Sequence, residues 1–222
     1  GDQVCAQCHV SDEYATKKHH FHPLSSDGAR CASCHMPVTR FMGVDDRHDH
    51  SFRIPRPDIS AALGSPDACL TCHNERSHSW ASEEIQKRYP ESNPGFQADA
   101  LTLHRARQGD PQVLDDLLGL AEQQSRPLMF RATAVTLLVR FPSKKSLTAI
   151  KSALRDEQPL VRRAAAEAMG SVPSVERLLV LPPLLQDEVL DVRLAAAVSL
   201  ASTEIRQSLN VSQKLHLDKV LD

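Results

Sequence analysis

Hydrophobic residues make up only 41% of the chain and aromatic residues 4%, and no run approaches the ~18 to 20 apolar residues that a membrane-spanning helix needs. No transmembrane segment is expected. An excess of one charge is also missing. The 26 basic and 28 acidic residues leave a formal net charge of -2, which supplies neither the basic field that nucleic acid requires nor the imbalance of a disordered tail. Nucleic acid is not an expected partner. Glycine is scarce, with 8 in 222 residues against a usual share of about 7%, which disfavours a glycine-rich β sandwich and favours a helical chain. Cysteine is absent from the last two thirds. All six cysteines lie before residue 73, and nine of the eleven histidines lie before residue 79.

That asymmetry divides the chain. A boundary falls in the segment 88–96, where two prolines, a glycine and a serine-asparagine pair interrupt any helix. Residues 1–92 form one unit with little amphipathic periodicity and many prolines, among them Pro23, Pro37, Pro55, Pro57 and Pro66. So small a unit with so few aliphatic residues cannot be stabilised by apolar burial alone and is expected to be organised by a covalent or metal staple.

Residues 98–222 carry an internal repeat. Phe130-Arg131, Val161-Arg162 and Val192-Arg193 recur at the same interval, each arginine followed by an alanine (Ala134, Ala165, Ala196) and then by Leu138, Met169 or Leu200. Pro142-Ser143 and Pro173-Ser174 keep the same period. Apolar residues at helical spacing, small residues where helices approach and a proline between segments describe stacked helix pairs, an α-solenoid. The pattern resembles HEAT-like repeats of a short kind. The arginine row suits either the stacking of helices or the docking of an acidic partner. His104 and His216 are isolated and read as structural or exposed.

The first unit holds three copies of C-x-x-C-H: Cys5 and Cys8 with His9, Cys31 and Cys34 with His35, Cys69 and Cys72 with His73. This is the attachment sequence for c-type haem. Two thiols at that spacing add to the two vinyl groups of one porphyrin, and the next histidine is carried under the ring as the proximal iron ligand. Three covalent haems are therefore expected. Zinc is disfavoured because His73 follows Cys72 directly, without a helix-bearing spacer. A disulfide framework does not explain the histidine after every pair. Six further histidines, His19, His20, His22, His48, His50 and His78, are candidates for the sixth iron position, enough for bis-histidine ligation throughout. Met36 and Met42 are the thioether alternatives, and Met36 adjoins His35, which disfavours it for the same iron.

The chain resembles multihaem c-type cytochromes whose haem segment precedes HEAT or TPR-type helical repeats. The resemblance runs through Tyr14 to His22 (YATKKHHFH), Gly28 to Pro37 (GARCASCHMP), Asp49 to Asp58 (DHSFRIPRPD) and Leu63 to His73 (LGSPDACLTCH), ending near Trp80-Ala81. It implies His19, His22 and His50 as distal ligands, with His20 and His48 as bystanders. Spacing alone separates neither His19 from His20 nor His48 from His50, and which distal histidine serves which iron stays open. Longer relatives carry further haem motifs upstream, so the chain reads as a mature or trimmed exported protein with its first haem facing another haem or a removed segment.

The expected fold is mostly α: a loop-rich triple-haem domain, 1–92, followed by a HEAT-like solenoid, 98–222. The expected function is electron transfer between redox protein partners or neighbouring copies, in the periplasm or outside the cell, by a carrier and not an enzyme. A head-to-tail cytochrome filament is compatible with that reading. The alternative is a multihaem oxidoreductase with one open haem site that reduces a nitrogen or sulfur oxyanion.

Overall fold

A computed structural model describes residues 1–91 and 95–221. The chain divides into two units, Gly1–Asn93 and Pro94–Asp222. The segment 88–96 read as the boundary includes residues 92–94, and these, with residue 222, lie outside the described residues.

The first unit is assembled from short pieces, as its prolines require. These are helices α1 (Ser11–Tyr14), α2 (Lys17–His20) and α3 (Cys31–His35), an antiparallel hairpin of β1 (Val38–Phe41) and β2 (Asp45–His48), then α4 (Pro57–Leu63) and α5 (His78–Arg88). In the hairpin Val38 stands opposite His48. A proline opens α4, and Gly64 closes it in the left-handed conformation, φ 65°, the usual asymmetry of helix ends. Ser77 caps α5, its hydroxyl accepting the Trp80 N–H at 3.2 Å. Helix α2 stops at Phe21, whose φ of 64° is uncommon for a residue with a side chain. The Phe21 ring packs 5.5 Å from the Tyr89 ring and 4.8 Å from the Arg88 guanidinium. Buried apolar side chains here are Pro57, Ile59 and Ala81 among the described residues. Val4, Val10, Leu24, Phe52 and Ile54 are exposed.

The second unit includes a 3-10 turn at Gly95–Ala98. Its helices are α6 (Asp99–Gln108), α7 (Leu114–Glu122), α8 (Leu128–Leu137), α9 (Lys144–Ala153), α10 (Pro159–Met169), α11 (Ser174–Val180), α12 (Leu190–Leu200), α13 (Thr203–Ser208) and α14 (Val211–Leu221). The repeat of the sequence falls on α8, α10 and α12, and α10 packs against both others. Ala134, Ala165 and Ala196 are fully buried, as are Leu138, Met169 and Leu200. The small residue lets neighbouring helices approach, and the larger one fills the layer between them. A buried bond from the Ser199 hydroxyl to the Ala166 carbonyl, 2.8 Å, ties α12 to α10. No helix among the described residues is long and apolar enough to cross a membrane.

Candidate functional site

Each C-x-x-C-H segment closes one helical turn. The His9 N–H bonds the Cys5 carbonyl at 2.9 Å, the His73 N–H bonds that of Cys69 at 3.0 Å, and Cys31 to His35 form α3. Residues three apart in such a turn share a face, so both thiols of a motif point to one side with the histidine beside them. The third turn is tied down by Asp67, whose carboxylate accepts the Cys69 N–H at 2.9 Å while its side chain is 2% exposed. The middle motif lies near the other two. Burial raises the Cys31 thiol, with Asp2 and Cys5 adding to the shift. Burial also raises Cys34, beside Cys72. Cys69 is pushed up to about 12 by burial, then by Asp67 and Cys34.

The histidines sort by their ring nitrogens. An imidazole that binds a metal through Nε2 carries its proton on Nδ1, and the partner of that N–H sets the ring's orientation. A carbonyl can only accept. Nδ1 of His35 therefore donates to Arg53 O at 2.9 Å, Nδ1 of His48 to Met36 O at 2.7 Å, Nδ1 of His50 to His48 O at 2.8 Å, and Nδ1 of His22 to His20 O. His20 is reversed: its Nδ1 accepts the His22 N–H at 3.3 Å, so a neutral ring carries its proton on Nε2. His78 donates from Nδ1 to the Asp67 carboxylate at 2.9 Å, and His19 Nδ1 lies 3.0 Å from the Tyr89 hydroxyl. Burial, followed by the nearby His35 and His20, holds the His19 ring below the usual imidazole range.

Four of the predicted ligands meet in pairs. The His19 and His35 rings are 6.2 Å apart between centroids and 15° from parallel; His22 and His73 are 6.0 Å apart and tilted by 35°. His9 has Tyr14 as its ring neighbour, edge-on at 5.4 Å, and His50 has Phe52 at 6.3 Å. His50 sits in a turn organised by Asp49. That carboxylate accepts the Ser51 N–H at 2.9 Å and pairs with Arg53, contacts that bring Asp49 down to about 2, Ser51 contributing most. Gly28 is the seat of His22: a β-carbon there would come within 2.5 Å of the ring Cδ2 and 2.9 Å of Nε2.

Among the described residues no group of three or more His, Cys, Asp and Glu side chains is arranged to hold a metal ion. A haem iron asks for less, because the porphyrin fills its equatorial plane and the protein supplies only axial groups. The paired imidazoles His19 with His35 and His22 with His73, with the Nδ1 protons of His35 and His22 on backbone carbonyls and Nε2 left bare, are the donors that would hold such a group.

The arginine row of the second unit is internal. Arg131 is 2% exposed and pairs with Asp156, while Arg162 makes a two-pronged bond to Asp187 at 2.8 and 2.9 Å. Arg162 also donates to the carbonyls of Asp156 and Glu157, and Arg193 repeats this one step later with Asp187 and Glu188. Burial alone would raise both aspartates. Hydrogen bonds from Arg131, the Gln158 N–H and Gln124 instead hold Asp156 below the ordinary carboxylate range, and Arg162 with the Val189 N–H does the same for Asp187. Arg131 and Arg162 therefore each bond the loop before the next repeat helix, Asp156 before α10 and Asp187 before α12, while Arg193 bonds the loop before its own helix. Residues 114–201 match the family model of HEAT repeats. Within these HEAT repeats the ladder is a stacking device and not an exposed basic face. No curated protein matches the chain. His104 and His216 are half-buried on α6 and α14, outside the first unit. Sequence reading missed Tyr89, Gly28 and Asp67 as site residues, since Tyr89 meets His19 from 70 positions away and no local pattern encodes that contact.

Proposed function

We propose that the first unit is an electron-transfer module for three covalent c-type haems, anchored by Cys5 with Cys8, Cys31 with Cys34, and Cys69 with Cys72. His9, His35 and His73 are the proximal ligands. The observation that carries this reading is the two close imidazole pairs, His19 with His35 at 6.2 Å and His22 with His73 at 6.0 Å between centroids, each joining a motif histidine to a distal candidate. His19 and His35 then serve one iron, His22 and His73 a second, and His50 is left for the motif of His9.

Iron in such a group supplies one-electron chemistry by passing between its ferric and ferrous states. The residues of the chain hold it there. Nδ1–H bonds from His35 and His22 to backbone carbonyls fix ring orientation and leave Nε2 free to bind, so little rearrangement accompanies a change of charge. Filled axial positions exclude added ligands, which suits a carrier better than an oxyanion reductase. The nearness of Cys31 to Cys5 and of Cys34 to Cys72 supports passage between neighbouring groups. The reading entails export, because c-type haem is attached outside the bacterial cytoplasm, and redox proteins or further copies of the chain as partners. The HEAT repeats are the docking surface, since stacked helices offer extended faces to other proteins.

Intact mass, electron paramagnetic resonance of the oxidised protein and carbon monoxide added after reduction test the proposal together. Three haems, all low-spin and unreactive to carbon monoxide, are expected. A mass without haem overturns the cofactor, and a high-spin haem that binds carbon monoxide puts the reductase first.

A further inference from the structure

Most Nδ1 partners around the site are backbone carbonyls, which no substitution can remove. His19 is an exception. The Tyr89 hydroxyl donates its one proton to the His19 carbonyl at 2.9 Å, and the same oxygen lies 3.0 Å from His19 Nδ1. With its proton committed, that oxygen can only accept, so the Nδ1–H of His19 is the donor and Nε2 is left bare. One side chain thus clamps both the backbone and the ring of a single histidine, and it does so from the residue that caps the C-terminus of α5. The Tyr89 ring is held independently by Phe21 at 5.5 Å, which keeps the hydroxyl in place.

We propose that Tyr89 is a positioning residue for His19, fixing the metal-binding tautomer of that imidazole and setting its donor strength toward the iron it shares with His35. The inference rests on the haem reading above. Physically, an acceptor on Nδ1–H increases electron density at Nε2, and a more basic axial ligand stabilises the ferric state. Removing the acceptor weakens the ligand and moves the midpoint of that haem upward, while haems served by carbonyl-bound histidines keep theirs.

The full-length haem-loaded chain carrying Tyr89→Phe tests this, because phenylalanine keeps the ring against Phe21 and deletes only the hydroxyl. Intact mass counts haems, and a redox titration followed by electron paramagnetic resonance resolves them. The expected result is three haems, with one low-spin signal changed in its g values and shifted to a more positive midpoint. That signal is the one that His19→Met alters. Three haems with every midpoint unchanged overturn the inference, as does a shift in a signal that His19→Met leaves alone. Should Tyr89→Phe fail to accumulate, 3-fluorotyrosine incorporated in a Tyr14→Phe background weakens the same acceptor at Tyr89, the one remaining tyrosine, without removing it. A positive shift of that one signal supports the inference, and no shift overturns it. If the unsubstituted protein carries no haem by mass, the haem reading itself fails, whatever Tyr89 does.

Discussion

A single hydrogen bond distinguishes neighbours that composition treats alike. His19, His20 and His22 lie within four residues, yet His22 donates from Nδ1 and His20 accepts there, which leaves a free Nε2 on one ring and a protonated Nε2 on the other. Sequence spacing could not separate His19 from His20, because the difference depends on what each ring meets. Gly28 is a second case. Its hydrogen faces the His22 ring so closely that a β-carbon would overlap Cδ2 at 2.5 Å. Gly28→Ala should therefore displace His22 and cost about 1 to 3 kcal/mol through overpacking. On the proposed haem reading, one low-spin signal should weaken or change, while intact mass should still show the parent's haem count because the variant leaves every cysteine in place. An unaltered spectrum would mean that Gly28 does not set the position of His22.

Helices of the second unit are joined by polar contacts as well as by alanine. The Arg131 and Asp156 side chains are 3% and 6% exposed, so removing one partner strands a buried charge. Arg131→Met is expected to destabilise the second unit by about 3 to 5 kcal/mol at neutral pH, and a combined Arg131→Met and Asp156→Leu change should recover most of that loss. Asp156 titrates below its ordinary value in the folded chain. The stability it contributes is thus present above the unfolded pKa of about 3.9 and is lost as pH falls through the folded value. The gap between Arg131→Met and the parent should accordingly narrow in acid. Urea denaturation followed by circular dichroism at neutral pH and below pH 4 measures both effects. A gap that stays constant with pH would show that the ion pair is not what the arginine supplies.

At the scale of the whole chain, the two units differ in how much apolar core they contain. The second has a continuous apolar core running from Leu103 to Leu217. The described part of the first buries little beyond Pro57, Ile59 and Ala81, which by itself is insufficient for a unit of that size. If the proposed haem attachment holds, replacing Cys31 and Cys34 with serine should remove it at the middle motif and unfold the first unit, while the helical circular dichroism of the second unit persists. Loss of all helicity in that variant would show that the units do not fold separately.

Patterns between adjacent residues were sufficient for the three C-x-x-C-H motifs and for the repeat on Arg131, Arg162 and Arg193, because one helical turn and one helix period each determine which neighbours share a face. The resemblance added His19, His22 and His50 without pairing them. Which imidazoles pair, and why His22 needs a glycine beside it, depended on segments far apart in the chain coming together. Tyr89 reaches His19 across 70 residues, and Asp67 holds both the turn of Cys69 and the ring of His78. Local periodicity carries no record of such meetings. They are decided by how the short elements of the first unit pack, and only the tertiary structure contains that.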